Sequence, residues 1–406
     1  MAGDALPLLK TKIPGPKSRA LSCQLHRYES RNVTFISGNW PVFWKRAVGT
    51  NVWDVDGNRY VDLTAAFGVA SVGHTNPRVA SALKKQSGAL LHAMGDVHPN
   101  ELKLRLASEL CALTFGRWAK GDARVVFGNS GAEAVEIAFK TAAIHTKRHG
   151  VIAFEGAYHG LTYGALDATW RADFRTAFTN QLGHFTSHVP YGRVPDVANI
   201  KEFGAVIVEP IQGRGGIIVP PDDFLPKLRE FCDAHGLLLI FDEIYTGFCR
   251  TGRWFACEHW NVVPDIVCVG KGMTGGFPLS ACVGRAEVMD SWPESDGEAI
   301  HTSTFLGNPL GCAAALAAIS EMKRLKLDAR AAKLGKRVEA NLPVRGKGLM
   351  LGVKVAQAPQ LCERLLQRGI IALPEGSDSE VLGLTPPLVI TERQLNHCVH
   401  VLQELL

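Results

Sequence analysis

Apolar residues in this chain gather in short unbroken runs that end in polar or charged positions. Between about residues 65 and 310 the runs are 124–127, 151–154, 205–208, 237–241, 266–269 and 280–283, separated by segments with helical spacing. A run of four to six apolar residues bounded by polar ones predicts a strand buried on both faces. Strands alternating with helices predict an α/β fold with a mainly parallel central sheet. Upstream, residues 52–63 alternate around Asp56-Gly57-Asn58 and predict a hairpin. Residues 1–50, interrupted by Pro7, Pro14 and Pro16, predict no regular element. Beyond Pro309 the pattern changes to an Ala-rich helix over 312–325, a Lys/Arg-studded helix, short strands within 348–355 and a last helix from near Thr391. The division that follows has three parts. Residues 1–64 contribute to a small domain, 65–310 form a large domain, and 311–406 complete the small α+β domain.

Composition narrows the function. An apolar content of 46% over 406 residues supports a large core and excludes a disordered chain. The net charge of +5 is spread without a basic block, which gives no footing for nucleic acid. No run approaches a membrane span, and the N-terminus lacks the apolar core of a signal peptide. None of the ten cysteines forms a Cys-x-x-Cys pair, and Cys268, Cys282 and Cys312 lie in apolar runs. That usage reads as reduced thiols in a cytoplasmic protein. His145 with His149, and His397 with His400, have ligand-like spacing but no Cys or Glu company, so no metal site is expected.

The chemistry is expected at five strand ends, because open α/β sheets hold their ligands there. After 124–127 come Asn129-Ser130-Gly131-Ala132-Glu133, where Ser130 and Glu133 have capping-box spacing. A phosphate on the N–H groups of Gly131 and Ala132 is one reading, and an ordinary capped helix is the other. Glu136 and Lys140 are spaced to pair along that helix. After 151–154 come Tyr158-His159-Gly160, where Tyr158 either stacks on a flat heterocycle or covers the sheet edge. Glu209 ends the third strand, either orienting a partner near a cofactor or forming a structural pair. Asp242 and Lys271 end the next two. A carboxylate at a pyridine nitrogen and an amine able to condense with an aldehyde together suit a pyridine cofactor. A competing reading is the G-x-G-x-x-G match at Gly270-Lys271-Gly272-Met273-Thr274-Gly275, which follows a strand. Gly276-Phe277-Pro278 breaks the helix that a dinucleotide site requires.

Taken together these segments resemble the class III pyridoxal-phosphate aminotransferases, of fold type I. The matching residues are Gly128-Asn129-Ser130-Gly131-Ala132-Glu133-Ala134, Tyr158-His159-Gly160, Glu209-Pro210-Ile211-Gln212-Gly213, Asp242-Glu243-Ile244-Tyr245-Thr246-Gly247-Phe248, Arg250-Thr251-Gly252, Lys271-Gly272, His301-Thr302-Ser303-Thr304-Phe305 and Gly307-Asn308-Pro309. The resemblance implies pyridoxal 5'-phosphate held as a Schiff base on Lys271, with Asp242 at the ring nitrogen. It also implies that Ser130, Gly131 and Ala132 hold the phosphate, that Tyr158 and Ile244 sandwich the ring, and that His159, Glu209 and Tyr245 complete the cofactor site. Thr304 would reach the phosphate of a neighbouring subunit, making a homodimer the active unit.

The implied reaction is ping-pong transfer of an amino group from a small amine or ω-amino acid to a keto acid or aldehyde. An epimerase or a decarboxylase on the same cofactor is the alternative, because the cofactor site alone does not separate them. Trp40, Phe67, Tyr158 and Trp170 are expected at the mouth of the substrate pocket. Three positions depart from the family. Members acting on ω-amino acids carry Arg three residues before a C-terminal Pro-Pro, where this chain has Gly383. They carry Glu after Gln-Gly, where this chain has Arg214. A common Gln is Tyr245 here. Carboxylate recognition is therefore expected to move to Arg214, or the donor lacks a carboxylate at that point.

Overall fold

The computed structural model describes residues 3–34 and 40–406. Its strands in chain order are β1 (Trp44–Val48), β2 (Asn51–Asp54), β3 (Arg59–Asp62), β4 (Ala123–Gly128), β5 (Gly150–Phe154), β6 (Thr186–Val189), β7 (Phe203–Val208), β8 (Leu238–Asp242), β9 (Ile266–Val269), β10 (Ser280–Arg285), β11 (Val344–Lys347), β12 (Met350–Lys354), β13 (Ile370–Ile371), β14 (Leu373–Glu375) and β15 (Val381–Leu384). Seven of them form one sheet in the order β4-β10-β9-β8-β7-β5-β6. All pairings in it are parallel except those of β10 with β4 and β9. Every residue of β7, β8 and β9 is buried, which accounts for their unbroken apolar sequences.

Two four-stranded sheets stand beside it, β1-β2-β3-β13 and β11-β12-β15-β14. In the first, Ile370 and Ile371 pair in parallel with Val61 and Asp62, so the two ends of the chain share one sheet. The Ala-rich helix runs over Pro309–Leu325 and buries Ala313, Ala314, Ala315 and Ala318. Thr391 caps the last helix, Glu392–Leu405, with a complete capping box to Gln394.

Several elements depart from the sequence reading, among them the helix Ala358–Leu366 and strands β13, β14 and β15, which it does not single out. Residues 16–25 form a helix and 44–48 a strand, where no regular element is expected. The helix buries only Ser18, and β1 leaves Trp44, Lys45 and Arg46 exposed, so neither carries an apolar pattern. β6 is a polar edge strand, Thr-Ser-His-Val, hidden for the same reason. Nor do Glu136 and Lys140 pair with each other. Glu136 Oε1 accepts from Thr162 Oγ1 and the amides of Gly164 and Ala165, while Lys140 Nζ lies 2.9 Å from His301 Nδ1. Partners from other elements outcompete the helical neighbour.

Arg250 joins the large sheet's body to the C-terminal unit. It is 1% exposed, and its Nη1 donates to the carbonyls of Leu349 (3.0 Å) and Pro386 (2.6 Å). Burial lowers its pKa to about 10, with the Tyr245 and Asp62 charges opposing the shift. Arg250→Ala leaves both carbonyls buried without a donor, at about 1–3 kcal/mol each. Urea denaturation is expected to show a loss of roughly 3 kcal/mol.

Candidate active site

β4, β5, β7, β8 and β9 all run in one direction, so the residues that follow them leave the sheet along one edge. A cavity of about 550 Å³ opens there. Ser130, Gly131, Ala132, Tyr158, His159, Glu209, Arg214, Asp242, Ile244, Tyr245 and Lys271 all line it.

Helix Gly131–Thr146 begins at the cavity wall. Ser130 Oγ accepts from the Glu133 amide at 3.3 Å, one half of the expected capping box. The other half is altered, because Glu133 Oε2 takes the Asn129 amide at 2.9 Å. The first N–H groups of a helix have no partner within it, and here they face a cavity. The loop after β5 presses close to this end: a Cβ on Gly160, whose φ is +122°, would sit 2.6 Å from Ala132 Cβ.

Asp242 is 4% exposed. Its Oδ1 accepts from the Ile244 amide at 3.1 Å, and its Oδ2 lies 2.8 Å from His159 Nδ1. The carboxylate accepts only, so Nδ1 carries the proton in the neutral ring. His159 Nε2 is buried without a hydrogen-bond partner among the described residues.

Glu209 is tied down by backbone, with Oε1 accepting from the Tyr158 amide and Oε2 from the Gly213 amide, each at 3.0 Å. Burial pushes its pKa up to about 7, opposed by His159 and reinforced by the Asp242 carboxylate. It therefore fixes the two loops that carry Tyr158 and Gly213.

Lys271 adopts φ of +40°, a left-handed conformation that costs a side-chain-bearing residue about 1–2 kcal/mol. The segment that matches G-x-G-x-x-G is a 3-10 turn, Lys271–Met273, with no helix behind it. Lys271 Nζ stands 4.2 Å from the centre of the Tyr245 ring. Burial lowers the amine's pKa, and the carboxylates of Asp242, Glu209 and Glu375 oppose that shift. A more easily deprotonated amine is a better nucleophile toward an aldehyde. Tyr245 is itself clamped: a Cβ on Gly68 would lie 2.6 Å from its Cε2, and one on Gly213 would lie 2.4 Å from its Cδ1. Its hydroxyl donates to Thr385 Oγ1 at 3.2 Å.

Four expected residues lie elsewhere. Trp40 packs against the cluster of Ile13, Val52, Tyr60, Leu366 and Ile371 in the small sheet. Phe67 is 58% exposed on a left-handed turn, Ala65–Gly68. Trp170 lies 5.3 Å from His188 with the rings tilted by 60°, and does not line the cavity. Trp40 thus packs into the small sheet, Trp170 meets His188, and Phe67 faces outward. Thr304 is exposed and does not line this chain's cavity. One charged residue escaped the sequence reading. Glu375, at the end of β14 and 5% exposed, pairs with Arg214, Nη1 to Oε2 at 3.3 Å.

The family described as aminotransferase class-III matches this chain over residues 35–406. The chain is a class-III aminotransferase. It is 42% identical to an acetylornithine aminotransferase of Methanopyrus kandleri over 367 residues, 88% of this chain and 92% of that one. It is 35% identical to a 4-aminobutyrate aminotransferase of Mycobacterium tuberculosis over 437 residues, covering 96% and 95%. Among solved structures, an ornithine aminotransferase from Toxoplasma gondii, described with pyridoxal phosphate partly occupying its active site, superposes with a TM-score of 0.85 at 31% identity. That match covers 97% of this chain and 95% of the other. The aminotransferase therefore has the fold type I architecture and uses pyridoxal 5'-phosphate. The family and these relatives support amino transfer, and they do not support the epimerase or decarboxylase alternative. The residues present suit the cofactor: an amine of lowered pKa, a buried carboxylate backed by a histidine, and a helix N-terminus share one cavity. Among the described residues no helix is long and apolar enough to cross a membrane.

Proposed function

We propose that this aminotransferase moves an amino group from a donor with a terminal amine to a 2-oxo acid, with Lys271 as the reacting amine. The observation that carries the reading is the placement of Lys271 and the His159-backed Asp242 in one cavity. Bound there, pyridoxal phosphate supplies an aldehyde for the amine and a ring that withdraws electrons from the substrate carbon. Asp242 holds a proton at the ring nitrogen, and His159 fixes the orientation of that carboxylate. Ser130, Gly131 and Ala132 take the phosphate at the helix N-terminus, while Tyr158 and Ile244 flank the ring. In the first stage Lys271 Nζ would take the proton from the donor's amine-bearing carbon and pass it to the bound cofactor, and in the second it would move a proton the opposite way, onto the acceptor's carbonyl carbon. Relatives named for acetylornithine, 4-aminobutyrate and ornithine support a donor with an amine at the end of a chain.

The working unit in this proposal is a homodimer. Leu91 (62% exposed), Val97 (63%), Leu104 (70%), Ile300 (67%) and Phe305 (58%) come from two segments joined by the His92–Phe305 ring contact and the Thr302–Asp96 hydrogen bond. Apolar surface of this kind supports an interface, and it carries Thr304, which would reach the phosphate bound by the partner subunit. The large body 65–310 would hold the cofactor, and 1–64 with 311–406 would form the smaller domain. The ten free cysteines support a cytoplasmic setting.

Purified enzyme is expected to convert terminal amines with pyruvate or 2-oxoglutarate, giving one aldehyde per amino-acid product and parallel double-reciprocal plots. Inversion of a single amino acid without any acceptor would overturn the reading.

A further inference from the structure

The Arg214–Glu375 pair sits where the family's charges are exchanged, and its geometry is lopsided. The Arg214 side chain lines the cavity and is 29% exposed, whereas that of Glu375 is 5% exposed. The glutamate is held from behind by a missing side chain: a Cβ on Gly383 would lie 3.0 Å from Glu375 Cγ. The backbones on both sides are locked together, since the Gly376 amide donates to the Arg214 carbonyl at 3.1 Å. Only the guanidinium is free to leave. Glu375 Oε2 accepts no hydrogen bond among the described residues, and its one ion-pair partner there is Arg214 at 3.3 Å, with Lys271 and Arg171 acting on it from farther away. A buried carboxylate that loses its paired cation is costly unless another cation or a proton takes that place. Burial already pushes Glu375 up to about 7, with Arg214 and then Lys271 opposing the shift. The carboxylate is thus within electrostatic reach of the reacting amine.

We propose that Glu375 recognises the second positive charge of a dicationic donor, an α,ω-diamine or a basic amino acid, with Arg214 holding its place until the donor arrives. The distal ammonium takes the guanidinium's position on Glu375, and Arg214 turns toward the cavity mouth. Arg214 then serves the opposite ligand. Its donors engage the second carboxylate of an anionic acceptor, where a guanidinium gives bidentate contact. One pair therefore handles a cation in the first stage and an anion in the second. This inference rests on Lys271 being the reacting amine and specifies what stands at the far end of the donor.

The test compares 1,5-diaminopentane with pentylamine as donors for the holoenzyme. Binding of N,N,N',N'-tetramethyl-1,5-diaminopentane is measured alongside by calorimetry, because a tertiary amine cannot condense with an aldehyde. The wild type is expected to favour the diamine. Glu375→Gln should reduce the diamine-to-monoamine ratio of kcat/KM at least tenfold, mainly through KM, and should weaken the tertiary diamine by a similar factor. Arg214→Met, which removes the competing cation, should tighten the tertiary diamine and raise KM for 2-oxoglutarate relative to pyruvate. It also covers the case in which Glu375→Gln fails to fold. An unchanged ratio in Glu375→Gln, or no tightening in Arg214→Met, would overturn the inference while leaving the aminotransferase reading intact. Failure of that reading looks different: neither amine turns over in the wild type, and the tertiary diamine still reports on Glu375.

Discussion

Lys271→Ala is expected to lower kcat for amino transfer by roughly 10⁴-fold, at the upper end of what removing a positioned acid–base group costs. Among the described residues, Lys271 is the one lysine lining the cavity. In the proposed mechanism its loss removes the anchor for the cofactor's aldehyde and the group that carries the substrate proton. No neighbour replaces it: Glu209 is held by two backbone amides, Asp242 by His159 and the Ile244 amide, and Tyr245 is clamped between glycines. The variant should also lose the yellow colour that marks covalent attachment, while the helix N-terminus still retains the phosphate end of the cofactor. Steady-state kinetics and a visible spectrum check both points. A variant that keeps more than a hundredth of the activity, with its colour intact, would place the reacting amine elsewhere.

Asp242→Asn should lower the rate of the first stage by roughly 10²- to 10³-fold, the range seen when a preorganised charge is removed from a reacting centre. Size is conserved, so the effect isolates charge. An amide cannot hold a proton on the ring nitrogen. It also disturbs His159, because an asparagine facing Nδ1 with its NH₂ group sets a donor against a donor. Single-turnover measurements with excess donor separate this loss from slower release. The melting temperature serves as the control for packing, since Asp242 lies in the buried end of β8. A rate within fivefold of the wild type would mean that the carboxylate only supports structure.

The sheet was legible because its central strands are covered on both faces and must be apolar throughout. A charge at the end of such a strand stands out against that background, and Asp242, Lys271 and Glu209 were found in this way. The helix over 16–25 and strands β1 and β6 expose polar residues and bury little, so they leave no periodic trace. Spacing along a helix states which side chains are able to meet, yet Glu136 found backbone amides from another segment and Lys140 found His301. Glu375 was invisible for a related reason. Its meaning depends on a glycine eight positions later and an arginine on a distant loop, and only the tertiary structure brings them together.

The Tyr245 ring wedged between Gly68 and Gly213 sets a limit on any redesign of this enzyme's donor range. Three stretches of chain, around 68, 213 and 245, keep their spacing because a single phenol fills the gap, and the lysine rides above it. Libraries that vary the two glycines will mostly return misaligned catalysts. Diversity placed at Leu161, which borders the same cavity and is half exposed, leaves that scaffold untouched.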